Sequence, residues 1–155
     1  MDLLKHIAAQ PSWDAAVRAA VLGVKLMKDH YHWVGVYLLD ESGGTLTLAK
    51  EHYLGLPTEH TRIPLESGIC GASAAGKETL VIDDVKGDSR YIACSLTVQS
   101  EIVVPILASD KVIGVLDLDS DTPAAFTEED RRELEALAAA LARAWEKNRG
   151  NAPSS

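Results

Sequence analysis

The chain has 155 residues, of which 46% are hydrophobic and 25% are charged, a balance typical of one soluble globular domain. Its formal net charge of −8 argues against binding to a nucleic-acid backbone. No apolar run reaches the roughly 18 residues that a transmembrane helix needs, and the N-terminus lacks a signal-peptide pattern, so we expect a cytoplasmic protein without a membrane partner.

The first predicted element is a helix, capped by Ser12 or Asp14, in which apolar residues recur at helical spacing over residues 17–27. Trp33–Leu39 is rich in aromatic and β-branched residues, residues 41–44 form a turn, and residues 45–48 alternate. This pattern predicts a hairpin. Small residues at 68–75 then predict a short helix, followed by a short strand at 79–82.

A second hairpin is predicted where the apolar runs 101–107 and 111–118 are joined by only three residues, too few for a parallel crossover. Residues 127–130 resemble a capping box and begin a helix with one apolar stripe. Strands grouped between terminal helices indicate an α+β fold with an antiparallel sheet. We expect one domain over residues 1–149 and a disordered tail over residues 150–155.

Two cysteines are too few for a disulfide framework, so they are either inert apolar side chains or a functional pair. Cys70 lies at the start of the short helix, where the helix dipole would favour its thiolate. Cys94 lies in the long irregular connection over residues 83–100. The two could form a disulfide if that connection folds over the short helix and brings their Cα atoms within about 7 Å.

Three acidic residues are expected at one end of the second hairpin. Asp117 and Asp119 alternate along their strand and therefore point to the same face, and we expect Glu101 opposite Asp117. The group is either a solvated strand end or a site at which a cation or a proton joins the carboxylates. We expect no metal site, because no His or Cys falls at ligand spacing nearby.

Trp33 and Tyr37 lie four residues apart and therefore on one face of their strand. They belong either to the core or to a binding site. His30 and His32 flank Tyr31, but two histidines at this spacing are a weak signal for a metal.

Seven short segments form a more specific pattern: Trp33-Val34-Gly35-Val36-Tyr37, Arg62-Ile63-Pro64, Gly68-Ile69-Cys70-Gly71, Ile92-Ala93-Cys94, Ser100-Glu101-Ile102-Val103-Val104-Pro105, Gly114-Val115-Leu116-Asp117-Leu118-Asp119-Ser120 and Phe126-Thr127. Together they resemble a GAF domain and, more narrowly, the free methionine-(R)-sulfoxide reductases, over roughly residues 30–145. The resemblance implies a GAF-type α+β fold, with helices packed on a central antiparallel sheet of about six strands.

The resemblance also implies reduction of free L-methionine-(R)-sulfoxide to methionine, with Cys94 as the nucleophile and Cys70 as the resolving thiol. It places the substrate pocket at Trp33, Tyr37, Glu101, Asp117 and Asp119. No cofactor or metal is implied, only an external dithiol reductant such as thioredoxin, and a homodimer formed through the terminal helices is expected.

One departure from the family concerns His60, which stands where many members have a third cysteine. The thiol that resolves the oxidised nucleophile would then be Cys70 or an external thiol. The helix dipole alone would select Cys70 as the nucleophile, whereas the resemblance selects Cys94. We follow the resemblance, because attack depends on reach to the sulfur as well as on the thiolate fraction.

A different class of function is a non-catalytic GAF sensor that binds a small amino-acid-like ligand. A cyclic-nucleotide binder is disfavoured, because the phosphate would face three carboxylates.

Overall fold

The computed structural model describes residues 2–91 and 97–149. The prediction for Cys94 therefore lies outside the described residues, and so does that for the tail over residues 150–155.

Four helices and seven strands form the described structure: α1 (Leu3–Ala8), α2 (Trp13–Met27), β1 (Trp33–Leu39), β2 (Thr45–Thr47), β3 (Tyr53–Leu54), β4 (Arg62–Pro64), α3 (Gly68–Gly76), β5 (Leu80–Ile82), β6 (Ser100–Ala108), β7 (Lys111–Ser120) and α4 (Glu128–Arg149). The predicted hairpins, the short helix and both long helices are present. The sequence did not predict α1, β3 or β4. The connection expected to be irregular holds a 3₁₀ turn over Val85–Gly87.

The strands form one sheet in the order β4-β2-β1-β7-β6-β5, with β3 also paired to β1, and every pairing is antiparallel. The two long strands β6 and β7 lie side by side in its centre and β1 flanks β7. The predicted α+β class with an antiparallel sheet is therefore confirmed.

One face of the sheet packs against α2 and α4, α1 packs against these two helices, and together they form the larger hydrophobic core. Ser12 caps α2 by accepting a hydrogen bond from Ala15 N at 3.1 Å. The predicted capping box at α4 is present, since Thr127 N donates to Asp130 and Asp130 N donates to Thr127 Oγ1. In the described part of the chain, no helix is long and apolar enough to cross a bilayer.

The opposite face carries a smaller core, covered by α3 and by the connections on either side of it. Trp33 and Tyr37 project from β1 into this core, and Cys70 enters it from α3. Gly71 allows α3 to lie close to the preceding loop, because a Cβ there would come within 2.9 Å of the Glu66 amide nitrogen. All the predicted site residues within the described part of the chain lie on this face.

Candidate functional site

The site is built on residues that pair across the three central strands. Glu101 of β6 pairs with Asp119 of β7, and Asp119 pairs with Trp33 of β1. In the adjacent row, Asp117 pairs with Gly35 of β1. Directly paired residues point to the same face of a sheet. The three carboxyl groups and the Trp33 indole therefore project together, towards α3.

A β-bulge in the central hairpin sets this register. Leu107 pairs with Val112, but Ile106, the residue before Leu107 in β6, pairs with Gly114, two residues after Val112. Strand β7 therefore contains one extra residue. The expectation that Glu101 faces Asp117 is thus wrong, because the turn holds two residues, Ser109 and Asp110, where three were expected, and the bulge adds one residue to β7, so that Glu101 pairs with Asp119. A ladder continued from the turn without a bulge would pair Glu101 with Leu118. Its carboxyl group would then lie on the other face of the sheet.

The three carboxyl groups are buried: Glu101 is 5% exposed, Asp117 4% and Asp119 3%. The interpretation of a solvated strand end is therefore wrong. Within residues 2–91 and 97–149, no Lys or Arg forms an ion pair with any of the three. One oxygen each of Asp117 and Asp119 also lacks a hydrogen-bond partner there. Buried charge is costly unless it is paired, so the cluster is suited to receive a proton or a cation.

Burial is the main cause of the electrostatic properties of these acids. It raises the pKa of Glu101 well above its usual range, and the charges of Asp117 and Asp119 raise that pKa further. The pKa of Asp119 is also raised well above its usual range, again chiefly by burial. The pKa of Asp117 is raised by burial, while hydrogen bonds from Glu101 and Cys70 oppose the shift. The cluster therefore shares protons, with Glu101 as a donor and Asp117 as an acceptor.

Cys70 is a free thiol in the first turn of α3 and is 4% exposed. Burial raises its pKa well above the usual range, and the neighbouring charges of Asp117 and Glu101 raise it further. The expectation that the helix dipole favours a Cys70 thiolate is therefore wrong, because desolvation and two carboxylates outweigh it. Sequence spacing places no His or Cys beside the carboxyl groups, but the fold brings Cys70 to them: a sulfur or oxygen atom from each of Cys70, Glu101 and Asp117 lies within 4.8 Å of the others.

The aromatic side of the site is held by hydrogen bonds to loop carbonyl groups. Trp33 Nε1 donates to Leu56 O at 3.0 Å, and the Tyr37 hydroxyl donates to His60 O at 2.8 Å. The Trp33 ring stacks on Tyr53 at a centroid distance of 5.5 Å. Gly35 is required beneath it, since a Cβ there would overlap the indole ring. Trp33 and Tyr37 thus serve as core residues and also border the carboxyl cluster.

Two cavities of different size adjoin the cluster. A cavity of about 210 Å³ is lined by His32, Trp33, Leu56, Pro57, Thr97, Val98, Asp119 and Asp121. It is smaller than the roughly 300–1,000 Å³ of typical pockets for drug-sized ligands. A second cavity of about 20 Å³ is lined by Tyr37, His60, Ile63, Gly68, Ile69, Cys70, Glu101 and Asp117. The larger cavity suits a single small molecule with an apolar part and a cationic group.

Comparison with known proteins assigns the family. The GAF domain family model matches residues 12–146. The structure superposes on free methionine-R-sulfoxide reductase from Neisseria meningitidis, solved in complex with its substrate, with a TM-score of 0.90 and 35% identity. The match covers 97% of this chain and 87% of that one. This chain belongs to the GAF-domain family of free methionine-(R)-sulfoxide reductases.

Two other relatives define the range of functions in this family. The Escherichia coli free methionine-R-sulfoxide reductase is 37% identical over 110 residues, which cover 71% of this chain and 64% of that protein, so the match spans less than two thirds of its length. A putative GAF sensor protein from Burkholderia vietnamiensis has a TM-score of 0.86 and 35% identity, with 95% of this chain and 91% of that one covered. The family thus includes proteins described as enzymes and as sensors.

Of the seven predicted site residues, the structure brings six to one face: Trp33, Tyr37, Cys70, Glu101, Asp117 and Asp119. Cys94 lies outside the described residues. Sequence reasoning considered His32 only as a weak metal signal and did not place it in the substrate site, but its Nδ1 accepts a hydrogen bond from Asp121 N at 2.9 Å and it lines the larger cavity. Its position directly before Trp33 was the available signal. Leu56, Pro57 and Val98 were also missed, because their loops carry no recognisable pattern.

Proposed function

We propose that this protein reduces free L-methionine-(R)-sulfoxide to L-methionine by thiol chemistry. The observation that carries the proposal is the buried cluster of Glu101, Asp117 and Asp119, which has no ion-pair partner from Lys or Arg among the described residues. Such a cluster is suited to bind a cation, and a free amino acid supplies an ammonium group. Asp119 of this cluster lines, together with Trp33, a cavity sized for one small molecule, which supports the same substrate.

The larger cavity offers complementary groups for the rest of the substrate. Trp33, Leu56 and Val98 form an apolar wall suited to the S-methyl group and the side-chain methylenes. Asp119 lies between this wall and the other two acids and is placed to bind the ammonium group. His32 Nδ1 is not a hydrogen-bond donor, because it accepts a hydrogen bond from Asp121 N. Its neutral form therefore carries its proton on Nε2, as a donor suited to the substrate carboxylate.

We assign Cys94 as the nucleophile. It lies three residues before Thr97, which lines the larger cavity, and three residues can span at most about 11 Å. Its thiolate attacks the sulfoxide sulfur, and the oxygen gains two protons and leaves as water as its bond to that sulfur breaks. Water then attacks the Cys94 sulfur and breaks the new sulfur–sulfur bond, which releases methionine and one proton and leaves a Cys94 sulfenic acid. Glu101, with its raised pKa, is a suitable source of one of the two protons that the oxygen gains.

Cys70 is assigned as the resolving thiol. Its raised pKa makes it a poor attacking group at neutral pH. Condensation with a sulfenic acid requires loss of its proton, and the Asp117 carboxylate, within 4.8 Å of Cys70 Sγ, is placed to accept that proton. Condensation of the Cys70 thiol with the Cys94 sulfenic acid forms a disulfide and releases water. An external dithiol of the thioredoxin class then reduces the disulfide, so no cofactor takes part.

The second candidate is a sensor that binds the amino acid without reacting. The similarity to the putative GAF sensor protein from Burkholderia vietnamiensis favours it, and so does the buried, protonated state of Cys70. A sensor would bind methionine sulfoxide through the same carboxyl cluster and release it unchanged.

The test is to incubate the protein with the separate R and S diastereomers of free methionine sulfoxide and excess dithiothreitol, and to quantify methionine. We expect methionine from the R diastereomer only, and none from Cys94→Ser. Binding of the R diastereomer without methionine formation by the wild type would instead establish the sensor.

A further inference from the structure

The small cavity next to the proposed substrate pocket has the composition of a metal site. Cys70 Sγ and one carboxylate oxygen each from Glu101 and Asp117 lie within 4.8 Å of one another. In a tetrahedral zinc site, bond lengths place such ligand atoms about 3.5 Å apart. Small side-chain movements would therefore bring the three groups around one ion.

Two further observations point to a ligand at this position. Asp117 is 4% exposed, and its Oδ1 has no hydrogen-bond partner among the described residues, although burial of an unpaired carboxylate oxygen is unfavourable. The cavity that Asp117 shares with Cys70 and Glu101 measures about 20 Å³. This volume is enough for one water or one small ion and far too small for an amino acid.

We propose that Cys70, Glu101 and Asp117 form a binding site for a thiophilic divalent cation of the zinc class. A thiolate with two carboxylates suits Zn²⁺ or Cd²⁺, whereas Mg²⁺ and Ca²⁺ require more oxygen ligands and more space. Binding replaces the Cys70 S–H bond with a sulfur–metal bond and releases one proton to solvent. The fourth coordination position is left to a water molecule.

Occupancy would have a regulatory consequence, which rests on the proposed function. The cation uses Glu101 and Asp117, which would otherwise balance the substrate ammonium group, and it holds the thiol needed for resolution. A loaded protein would therefore neither bind the sulfoxide well nor complete a thioredoxin-linked cycle.

The experiment measures metal uptake without substrate, so its result is independent of the proposed function. The full chain is reduced with a non-thiol phosphine, titrated with CdCl₂ while thiolate-to-cadmium charge-transfer absorption is recorded, and then titrated with ZnCl₂ against a chromophoric chelator. We expect one equivalent of each ion to bind, with no competition from excess Mg²⁺. Cys94→Ser, whose only thiol is Cys70, should retain the cadmium absorption band.

Two matched acid variants separate a defined site from general attraction by negative charge. Asp117→Asn should weaken zinc binding at least tenfold, while Asp119→Asn, equally buried but outside the ligand set, should change it less than threefold. Loss of the cadmium band in Cys94→Ser would overturn the site, as would failure of the wild type to bind zinc. Equal weakening by both Asp variants would show that charge alone attracts the ion.

Discussion

Asp117 lies between two parts of the site, the carboxyl groups on the sheet and the Cys70 thiol on α3. One of its carboxylate oxygens lies within 4.8 Å of a Glu101 carboxylate oxygen and of Cys70 Sγ, so it links the sheet to α3. Burial raises the pKa of the Cys70 thiol and keeps it protonated, and the neighbouring charges of Asp117 and Glu101 act in the same direction. This environment removes the advantage that the helix dipole alone would give Cys70 as a nucleophile.

The roles assigned to the cysteines predict different defects for their serine variants. Cys94→Ser should form no methionine with any reductant, because the attacking sulfur is absent. Cys70→Ser should lose thioredoxin-dependent cycling but form about one methionine per chain in a single turnover, since the sulfenic acid no longer has its partner. Rapid-quench measurement of methionine checks both. A burst in Cys94→Ser that is missing from Cys70→Ser would reverse the assignment.

Among the structural elements, the bulged hairpin of β6 and β7 determines which face the acids occupy. The alternation of Asp117 and Asp119 could be read from the sequence, because side chains alternate along any strand. The pairing of Glu101 could not, since a bulge has no distinctive residue pattern and the extra residue, Ile113, is an ordinary apolar one. Short elements such as β3 were missed for a similar reason, since two residues carry no periodicity.

Amide variants test the role of the acids at these strand ends. Glu101→Gln and Asp119→Asn should each lower kcat/KM for the free sulfoxide about a hundredfold, the scale expected when a positioned proton donor or charge partner is lost. Neither change creates a cavity, so both proteins should remain folded. The exposed Glu41→Gln serves as a control and should keep full activity. Near-normal turnover in both amide variants would remove the acids from the reaction.

At the scale of the whole molecule, the two faces of the sheet have different roles. Its face under α1, α2 and α4 carries the larger apolar core, which includes the fully buried Leu116, Leu118 and Leu134. The face under α3 exchanges part of that apolar packing for buried acids. The apolar packing that stabilises the fold therefore lies mainly on one face. The unfavourable burial of charge is confined to the site on the other face.

This arrangement predicts an unusual dependence of stability on pH. The pKa values of Glu101 and Asp119 are raised in the folded protein, so the folded state holds protons that the unfolded chain releases above about pH 4. Their contribution is present at low pH and is lost as the pH rises through the folded pKa values. Asp119→Asn removes one such group. It should raise Tm at pH 8 by roughly 2–4 °C, a shift typical of about 1 kcal/mol at this chain length.

Calorimetry of the wild type and of Asp119→Asn from pH 5 to pH 8 checks this prediction, because their difference cancels the opposing contribution of Asp130, whose pKa is lowered. The gain in Tm should grow with pH, while Glu41→Gln should show no such trend. A variant that is less stable than the wild type at pH 8 would show that the buried charge is already compensated.

The expected homodimer stays a prediction. The outer face of α2 offers exposed apolar side chains for such an interface, among them Leu26, which is 75% exposed, and Leu22, at 53%. The helical spacing of its apolar residues predicted which face of α2 is buried. Which of its other apolar residues stay exposed could not be predicted, because that depends on how α1 packs against α2.

The central claim is that buried acids recognise the ammonium group of a free amino acid, and the most direct measurement compares free methionine-(R)-sulfoxide with its N-acetyl derivative. Acetylation removes the positive charge and leaves the sulfoxide unchanged. We predict that kcat/KM falls at least a hundredfold for the blocked substrate, because the buried carboxylates then lack a partner. The penalty should shrink in Asp119→Asn. Turnover of the N-acetyl derivative at a rate comparable to that of the free amino acid would contradict the account.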